Sequence, residues 1–189
     1  MTQNMQQQPL VLVLGGTGKI GRRIVARLAT RGVPVRIGSR TAAPAFEWND
    51  PATWPGVLNG VQNVFISYAP DIAVPGAQQA VAEFTRQAAT QGVARVVLLS
   101  GRGEPEAEAA ERIVQDGPLP CTILRCSWFA QNFSEDFLLD PVLAGEVALP
   151  SMASPSHSST ATISPRSAPK RSSTAGTPAS STSSPGRDC

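Results

Sequence analysis

One histidine, one tyrosine and two lysines are all that the 189 residues contain of those types: His157, Tyr68, Lys19 and Lys170. His157 lies in the C-terminal stretch, so residues 1–150 offer no histidine triad, no histidine metal site and no imidazole acid or base. Cysteine is nearly as scarce. Cys121, Cys126 and Cys189 include no CxxC pair, which is too few for a disulfide scaffold and the wrong spacing for zinc. Cys121 and Cys126 fall on one expected strand, where an odd separation places them on opposite faces as ordinary thiols. The net charge is only +2, and no long basic block precedes the C-terminal stretch, so charge does not suggest nucleic-acid binding. No apolar run is long enough to span a bilayer, and the glutamine-rich segment Met1–Gln8 is unlike a signal peptide. These absences predict a soluble cytoplasmic chain with no membrane partner. They leave the oligomeric state open.

What is present begins with glycine. The apolar run Val11–Leu14 leads directly into Gly15-Gly16-Thr17-Gly18-Lys19-Ile20-Gly21, and then into Arg22–Leu28 with helical periodicity. Glycines at 15, 18 and 21 give the spacing GxxGxxG in a strand–turn–helix setting. Glycine lets the chain turn sharply and lets backbone approach a pyrophosphate. The opening helix then presents unpaired N–H groups and its positive dipole end to the phosphates. The last glycine permits close packing of helix on strand. In this context the motif predicts a dinucleotide site rather than a bare turn.

Strands and helices alternate through residues 10–150. Strands are expected at Val11–Leu14, Val33–Ile37, Phe46–Trp48, Val64–Ser67, Ala94–Ser100 and Cys121–Arg125. Helices are expected at Lys19–Thr30, Gly76–Gln91, Glu104–Gln115 and Trp128–Leu139, with a short one opened by Asp50-Pro51 as N-cap and first turn. In the second of these, Ala77, Val81, Phe84 and Ala88 share one stripe. The strands are almost continuously apolar, as they are when helices cover both faces of a parallel sheet. The fold class is α/β: a doubly wound parallel sheet of the Rossmann NAD(P)-binding type, here without its C-terminal elements. Residues 1–9 are expected to be disordered.

In such a fold the second strand ends beside the adenosine ribose. An acidic residue there suits NAD, and a basic one suits NADP. No Asp or Glu occurs before Glu47, and the second strand ends Arg36-Ile37-Gly38-Ser39-Arg40. Arg40 is placed to pair with a 2′-phosphate and Ser39 to hydrogen-bond it, with Arg36 able to help if it turns inward. NADP, as NADPH, is the expected cofactor. The switch-point rule then places the nicotinamide near Ser67-Tyr68 and near Ser100.

With one tyrosine and no lysine near it, the Tyr-x-x-x-Lys pair of conventional short-chain dehydrogenases cannot form. Tyr68 is the candidate proton donor; packing of its ring is the alternative role. Hydride transfer asks the protein mainly for orientation and exclusion of water. An iminium substrate is already cationic and needs no general acid, and a quinone needs little help.

The strings VLVLGGTGKIGRRIVARL, VRIGSR, VVLLSGRGE and LRCSWFAQNFSEDFLLDPVLAGEVALP resemble the NmrA-like branch of atypical short-chain dehydrogenases, most of all the group similar to the ergot-alkaloid agroclavine/festuclavine dehydrogenases. The resemblance covers about residues 10–150. It implies NADP-dependent reduction of an iminium, quinone or conjugated carbonyl. It implies a phosphate loop at Gly15, Thr17, Gly18, Lys19 and Ile20 and a 2′-phosphate site at Ser39 and Arg40. It puts Trp128, Phe129, Gln131 and Asn132 on the substrate side. The same branch holds redox sensors that bind the cofactor and catalyse nothing, which is the alternative function.

From Ser151 to Cys189 the chain becomes rich in Ser, Thr, Pro, Ala and Arg, with no apolar periodicity. As written, it is expected to be disordered. The genetic code offers a second reading. If the third base of each codon is joined to the first two bases of the next, serine TCN gives NTC, which encodes Phe, Leu, Ile or Val. Threonine then gives Tyr, His, Asn or Asp, and proline gives a small residue. The segment is thus expected to be an apolar C-terminal lobe read in a shifted frame, leaving a reductase of impaired activity.

Overall fold

The computed structural model describes residues 8–127, 129–135, 137–150 and 160–163. The chain divides into two compact units, one running to Asp136 and the other starting at Phe137.

The first unit is a five-stranded parallel sheet with strands β1 (Val11–Leu14), β2 (Val35–Gly38), β3 (Asn63–Ile66), β4 (Arg95–Gly101) and β5 (Cys121–Cys126). Their order is β2-β1-β3-β4-β5, so the order reverses between β1 and β3, where a doubly wound sheet opens a crevice at its carboxyl edge. The register aligns Leu14 with both Gly38 and Ile66, and Ser100 with Arg125. Four helices cross between strands: α1 (Gly21–Ala29), α2 (Trp54–Leu58, entered through a 3₁₀ turn at Pro51–Thr53), α3 (Ala77–Thr90) and α4 (Pro105–Gln115).

One face of the sheet carries the core. Leu12, Leu14, Val64, Ile66, Val96 and Leu98 point to it and meet Val57 and Leu58 of α2, Val81, Phe84 and Ala88 of α3, and Ala107, Ala110 and Val114 of α4. The stripe expected on α3 is the buried one: Ala77, Val81, Phe84 and Ala88 have no exposed surface. Asp50 caps the 3₁₀ turn as the sequence predicts, its carboxylate accepting from the Ala52 N–H at 3.2 Å.

Phe46–Trp48 is not a strand. The backbone of Glu47 bonds to side chains instead of a neighbouring strand. Its N–H donates to Thr53 Oγ1 (3.1 Å), and its carbonyl accepts from the Trp54 indole N–H (2.8 Å). The loop delivers Phe46 and Trp48 into the core, where they cluster with Trp54 and Phe84. Edge-on ring contacts such as Phe46–Trp48, with centroids 4.9 Å apart, each contribute about 0.5–1.5 kcal/mol beyond area burial.

The helix expected over Trp128–Leu139 is also absent as a single element. The first unit ends in a short α5 (Asn132–Glu135). The amides of Asn132, Phe133 and Ser134 bond three residues back, to Phe129, Ala130 and Gln131, and that of Glu135 bonds four back, to Gln131, so the chain enters α5 through a tighter turn.

The second unit contains α6 (Leu139–Ala144), closed by Gly145 at φ 81°, and an antiparallel pair of β6 (Val147–Pro150) with β7 (Thr160–Ile163). Thr160–Ile163 thus forms a strand within the stretch where the sequence predicts none. The rest of that stretch, the N-terminal residues expected to be disordered up to Gln7, and Trp128 lie outside the described residues.

Candidate functional site

The glycine turn forms at the carboxyl end of β1, beside the crevice. Gly15 sits at φ 69°, in the left-handed region, where a Cβ would also press on the Ser67 carbonyl at 2.9 Å. The turn closes through the Gly18 N–H to the Gly15 carbonyl at 2.9 Å. A Cβ on Gly21 would overlap that same carbonyl, so the third glycine lets α1 start hard against the loop. Gly18 differs from both. A Cβ there would meet only the Gly15 carbonyl, at 3.3 Å, and its φ is ordinary. The fold therefore demands glycine more strictly at 15 and 21 than at 18.

α1 has no side-chain N-cap and no acidic residue in its first turn. Among the described residues, the N–H groups of Thr17 and Ile20 have no acceptor. A bare positive helix end with open amides fits an anion.

Beside the loop, β2 delivers Ser39 and Arg40. The Gly15 N–H donates to the Gly38 carbonyl at 3.2 Å, which sets Ser39 and Arg40 next to the turn, with Arg40 exposed. The Ser39 hydroxyl lies 3.4 Å from Thr41 Oγ1. On the other side Ser67 packs against Gly15. The structure thus brings together Gly15, Thr17, Gly18, Lys19, Ile20, Ser39, Arg40 and Ser67. Arg36 does not join them. Its guanidinium donates to the Val57 (2.8 Å) and Asn59 (2.6 Å) carbonyls and so caps the end of α2.

Tyr68 is half-buried, its ring 4.5 Å from that of Trp48 and tilted 34° to it. Burial first, and then the charge of Glu47, raises its phenol above the ordinary value. Nothing here activates it as an acid. The aromatic loop that holds it was hidden in the sequence by the strand-like pattern of Phe46–Trp48.

Asn132 reaches the glycine loop, its Oδ1 accepting from Lys19 Nζ at 2.8 Å. Glu135, one turn on, pairs with Arg22 and Arg23 in the first turn of α1. The hydrogen bond from Arg23 does most to hold its carboxyl below the usual range. Phe129, half-buried, begins the same segment.

Ser100 ends up in a network the sequence reading missed. Its hydroxyl donates to Glu111 Oε1 at 2.6 Å, and Glu111 Oε2 accepts from Arg125 Nε at 2.8 Å and from its terminal nitrogen at 2.6 Å. The Glu111 side chain is 1% exposed and that of Arg125 is 55% exposed. Arg125's hydrogen bond, helped by that of Ser100, outweighs burial and holds the Glu111 carboxyl below its usual range. The signal was legible. Glu111 interrupts the apolar stripe of Ala107, Ala110 and Val114, and Arg125 continues the alternation of Cys121 and Ile123. A charge in the buried stripe of α4 asks for a partner, and Arg125 on the neighbouring strand supplies it.

Among the described residues, no group of three or more His, Cys, Asp or Glu could hold a metal, and no helix is long and apolar enough to cross a membrane.

This fold and loop define a Rossmann-type nucleotide-binding chain, and comparison with known proteins narrows the class. No protein-family model matches the sequence. Over 157 residues it is 29% identical to prestalk A differentiation protein A of Dictyostelium discoideum, covering 74% of this chain and 52% of that protein. It is 30% identical over 140 residues to agroclavine dehydrogenase of Claviceps fusiformis (66% and 48%). To the NAD(P)H azoreductase of Xenophilus azovorans it is 30% identical over 144 residues (65% and 49%). The chain spans about half the length of these relatives. By sequence it is a homologue of the agroclavine/festuclavine dehydrogenases and NAD(P)H reductases. Among solved structures, a short-chain dehydrogenase/reductase superfamily protein from Agrobacterium tumefaciens with bound NAD superposes with TM-score 0.54 at 21% identity, over 70% of this chain and 55% of that one. The Citrobacter triphenylmethane reductase complexed with NADP(H) does so with TM-score 0.52 at 18% identity, over 72% and 55%. What these structures share with the chain is the Rossmann-like fold, a parallel sheet with flanking helices.

Proposed function

We propose that the chain binds NADPH and delivers hydride to a small electrophile that needs little protonation: an iminium, a quinone or a conjugated carbonyl. The observation that carries this reading is the meeting of an open, uncapped glycine turn with Ser39 and Arg40 at the end of β2, a strand that carries no carboxylate. Bound NADPH would supply the hydride. The chain's own part is to hold and orient. The Thr17 and Ile20 amides and the α1 terminus take the pyrophosphate, and Gly18 leaves it room. Arg40 and Ser39 take the 2′-phosphate, and Ser67 lines the crevice. Asn132, Phe129 and Trp128 are assigned to the substrate side. Tyr68, stacked on Trp48, is spare for an iminium, which brings its own charge. The shifted-frame reading of residues 151–189 adds that turnover is weak.

Titration with NADPH and NADH tests the cofactor. Arg40→Ala is expected to weaken NADPH by about 1.5–3 kcal/mol, the range for a hydrogen bond to a charged group, and to leave NADH unchanged. Equal losses for both cofactors would remove Arg40 from the site. Consumption of NADPH with iminium and quinone acceptors then tests the reaction. A second reading, a cofactor-binding sensor without turnover, is favoured by the lack of an activated acid at Tyr68. NADPH binding with no acceptor reduced would select it.

A further inference from the structure

We propose that Glu135 and Arg23 are positioning residues, which fix the Lys19–Ile20 peptide so that its N–H serves the glycine turn as a donor to a dinucleotide phosphate. The proposal rests on the reading of that turn as the phosphate site and assigns what aims one of its donors.

The carbonyl of Lys19 and the N–H of Ile20 belong to one peptide group. In a trans peptide the two point to opposite sides, so whatever holds the carbonyl also aims the N–H. The usual helical partner does not hold it. The Arg23 N–H donates to the Ile20 carbonyl instead, at 3.1 Å. The Arg23 guanidinium takes the vacant place, Nη1 donating to the Lys19 carbonyl at 2.7 Å. The Ile20 N–H, on the other side of the peptide, has no acceptor among the described residues. A charged donor on the carbonyl polarises the peptide and strengthens its N–H as a donor in turn.

Arg23 is 43% exposed, and a long exposed side chain gives up rotamer freedom to stay in one place. Glu135 is what keeps it there. Its Oε1 accepts from Arg23 Nη2, and its Oε2 accepts from Arg22 and, at 3.3 Å, from Arg23 Nη1. The planar fork thus spans the carboxylate and the loop carbonyl together. The hydrogen bond from Arg23 lowers the Glu135 carboxyl and keeps it ionised at neutral pH. The same segment reaches Lys19 a second time, Asn132 Oδ1 accepting from its Nζ at 2.8 Å. α5 therefore grips residue 19 by both backbone and side chain.

Charge and positioning predict opposite signs at Glu135. Removing a carboxylate near a phosphate site strengthens anion binding if charge alone acts. It weakens binding if the carboxylate aims a donor. Inorganic pyrophosphate and NADPH are titrated calorimetrically into the full chain. Glu135→Ala is expected to weaken both by about fivefold, the scale of one hydrogen bond. Arg23→Lys keeps the charge and loses the fork, and is expected to do the same. Exposed ion pairs add little stability, so both thermal midpoints should stay near that of the wild type. With isotope-labelled isoleucine, the Ile20 amide proton is identified by its loss in Ile20→Val. Of the isoleucine amides it should move farthest downfield with pyrophosphate, and move less at saturation in both variants. Equal or tighter pyrophosphate binding in Glu135→Ala overturns the proposal, as does an Ile20 amide that does not respond. If Glu135→Ala does not fold, unchanged binding in Arg23→Lys overturns it instead. A wild type that binds pyrophosphate but not NADPH sinks the reductase reading alone, and pyrophosphate then decides the positioning. A wild type that binds neither overturns both.

Discussion

At the scale of single residues, the glycine motif separates into parts with different duties. Gly15 and Gly21 are required by backbone geometry alone, one by its positive φ and the other by its contact with the Gly15 carbonyl. Gly18 is less constrained, a Cβ there meeting only the Gly15 carbonyl at 3.3 Å. Gly18→Val is expected to lower the thermal midpoint less than Gly21→Ala does and to abolish cofactor binding, because its branches enter the space proposed for the pyrophosphate. Gly21→Ala is expected to lower the midpoint sharply. If Gly18→Val binds NADPH normally, the turn serves structure only. Tyr68 gives a second comparison. Tyr68→Phe keeps the ring that stacks on Trp48 and removes only the hydroxyl. Iminium turnover should therefore be unchanged, while a fall for quinone or carbonyl acceptors alone would restore the tyrosine as proton donor. The nearness of the glycine loop to Ser39 and Arg40 was legible in sequence because each follows an apolar run, and the two runs pair as β1 and β2. The partners of Ser100, Tyr68 and Arg36 were not, since each contact comes from an element distant in the chain.

Between elements, α4 and the sheet are joined by one buried charge. Glu111 links α4 to Ser100 of β4 and Arg125 of β5. Its carboxyl titrates lower in the folded chain than in the unfolded one. Its contribution to stability is therefore complete above the ordinary carboxylate pKa and is lost as the pH falls through the folded value. Urea unfolding from about pH 7 down to about pH 3 should show stability declining with acid, and Glu111→Gln should flatten part of that decline. An identical slope in the variant would show that other carboxylates carry it. Element positions were mostly readable, because apolar runs and glycine stops follow the periods of strand and helix. Two of the three mismatches have local causes; the third is the strand Thr160–Ile163. Phe46–Trp48 alternates like a strand, yet its backbone is satisfied by Thr53 and Trp54. The stretch after Cys126 has helical spacing, yet its described helices are the short Asn132–Glu135, entered through bonds three residues apart, and Leu139–Ala144.

On the scale of the whole molecule, the five-stranded sheet is parallel throughout, and β5 forms one edge with Leu124 41% exposed. We propose that the shifted-frame reading of residues 151–189 accounts for the loss of apolar pattern after Pro150. Resequencing the gene near codon 150 is expected to reveal a one-base change. The chain with its frame restored should melt at a higher temperature and reduce acceptors faster. A restored chain that is no more stable and no more active would refute the link between tail and function.

The ring cluster under the crevice also makes the protein its own optical reporter. Trp48 and Trp54 lie with centroids 6.2 Å apart, and Tyr68 rests against Trp48 on the loop that leaves β3. Light absorbed by the single tyrosine will pass to the indole beside it. Emission from that indole will respond to any ligand that shifts the loop, so occupancy of the crevice can be followed by fluorescence without a label and without turnover.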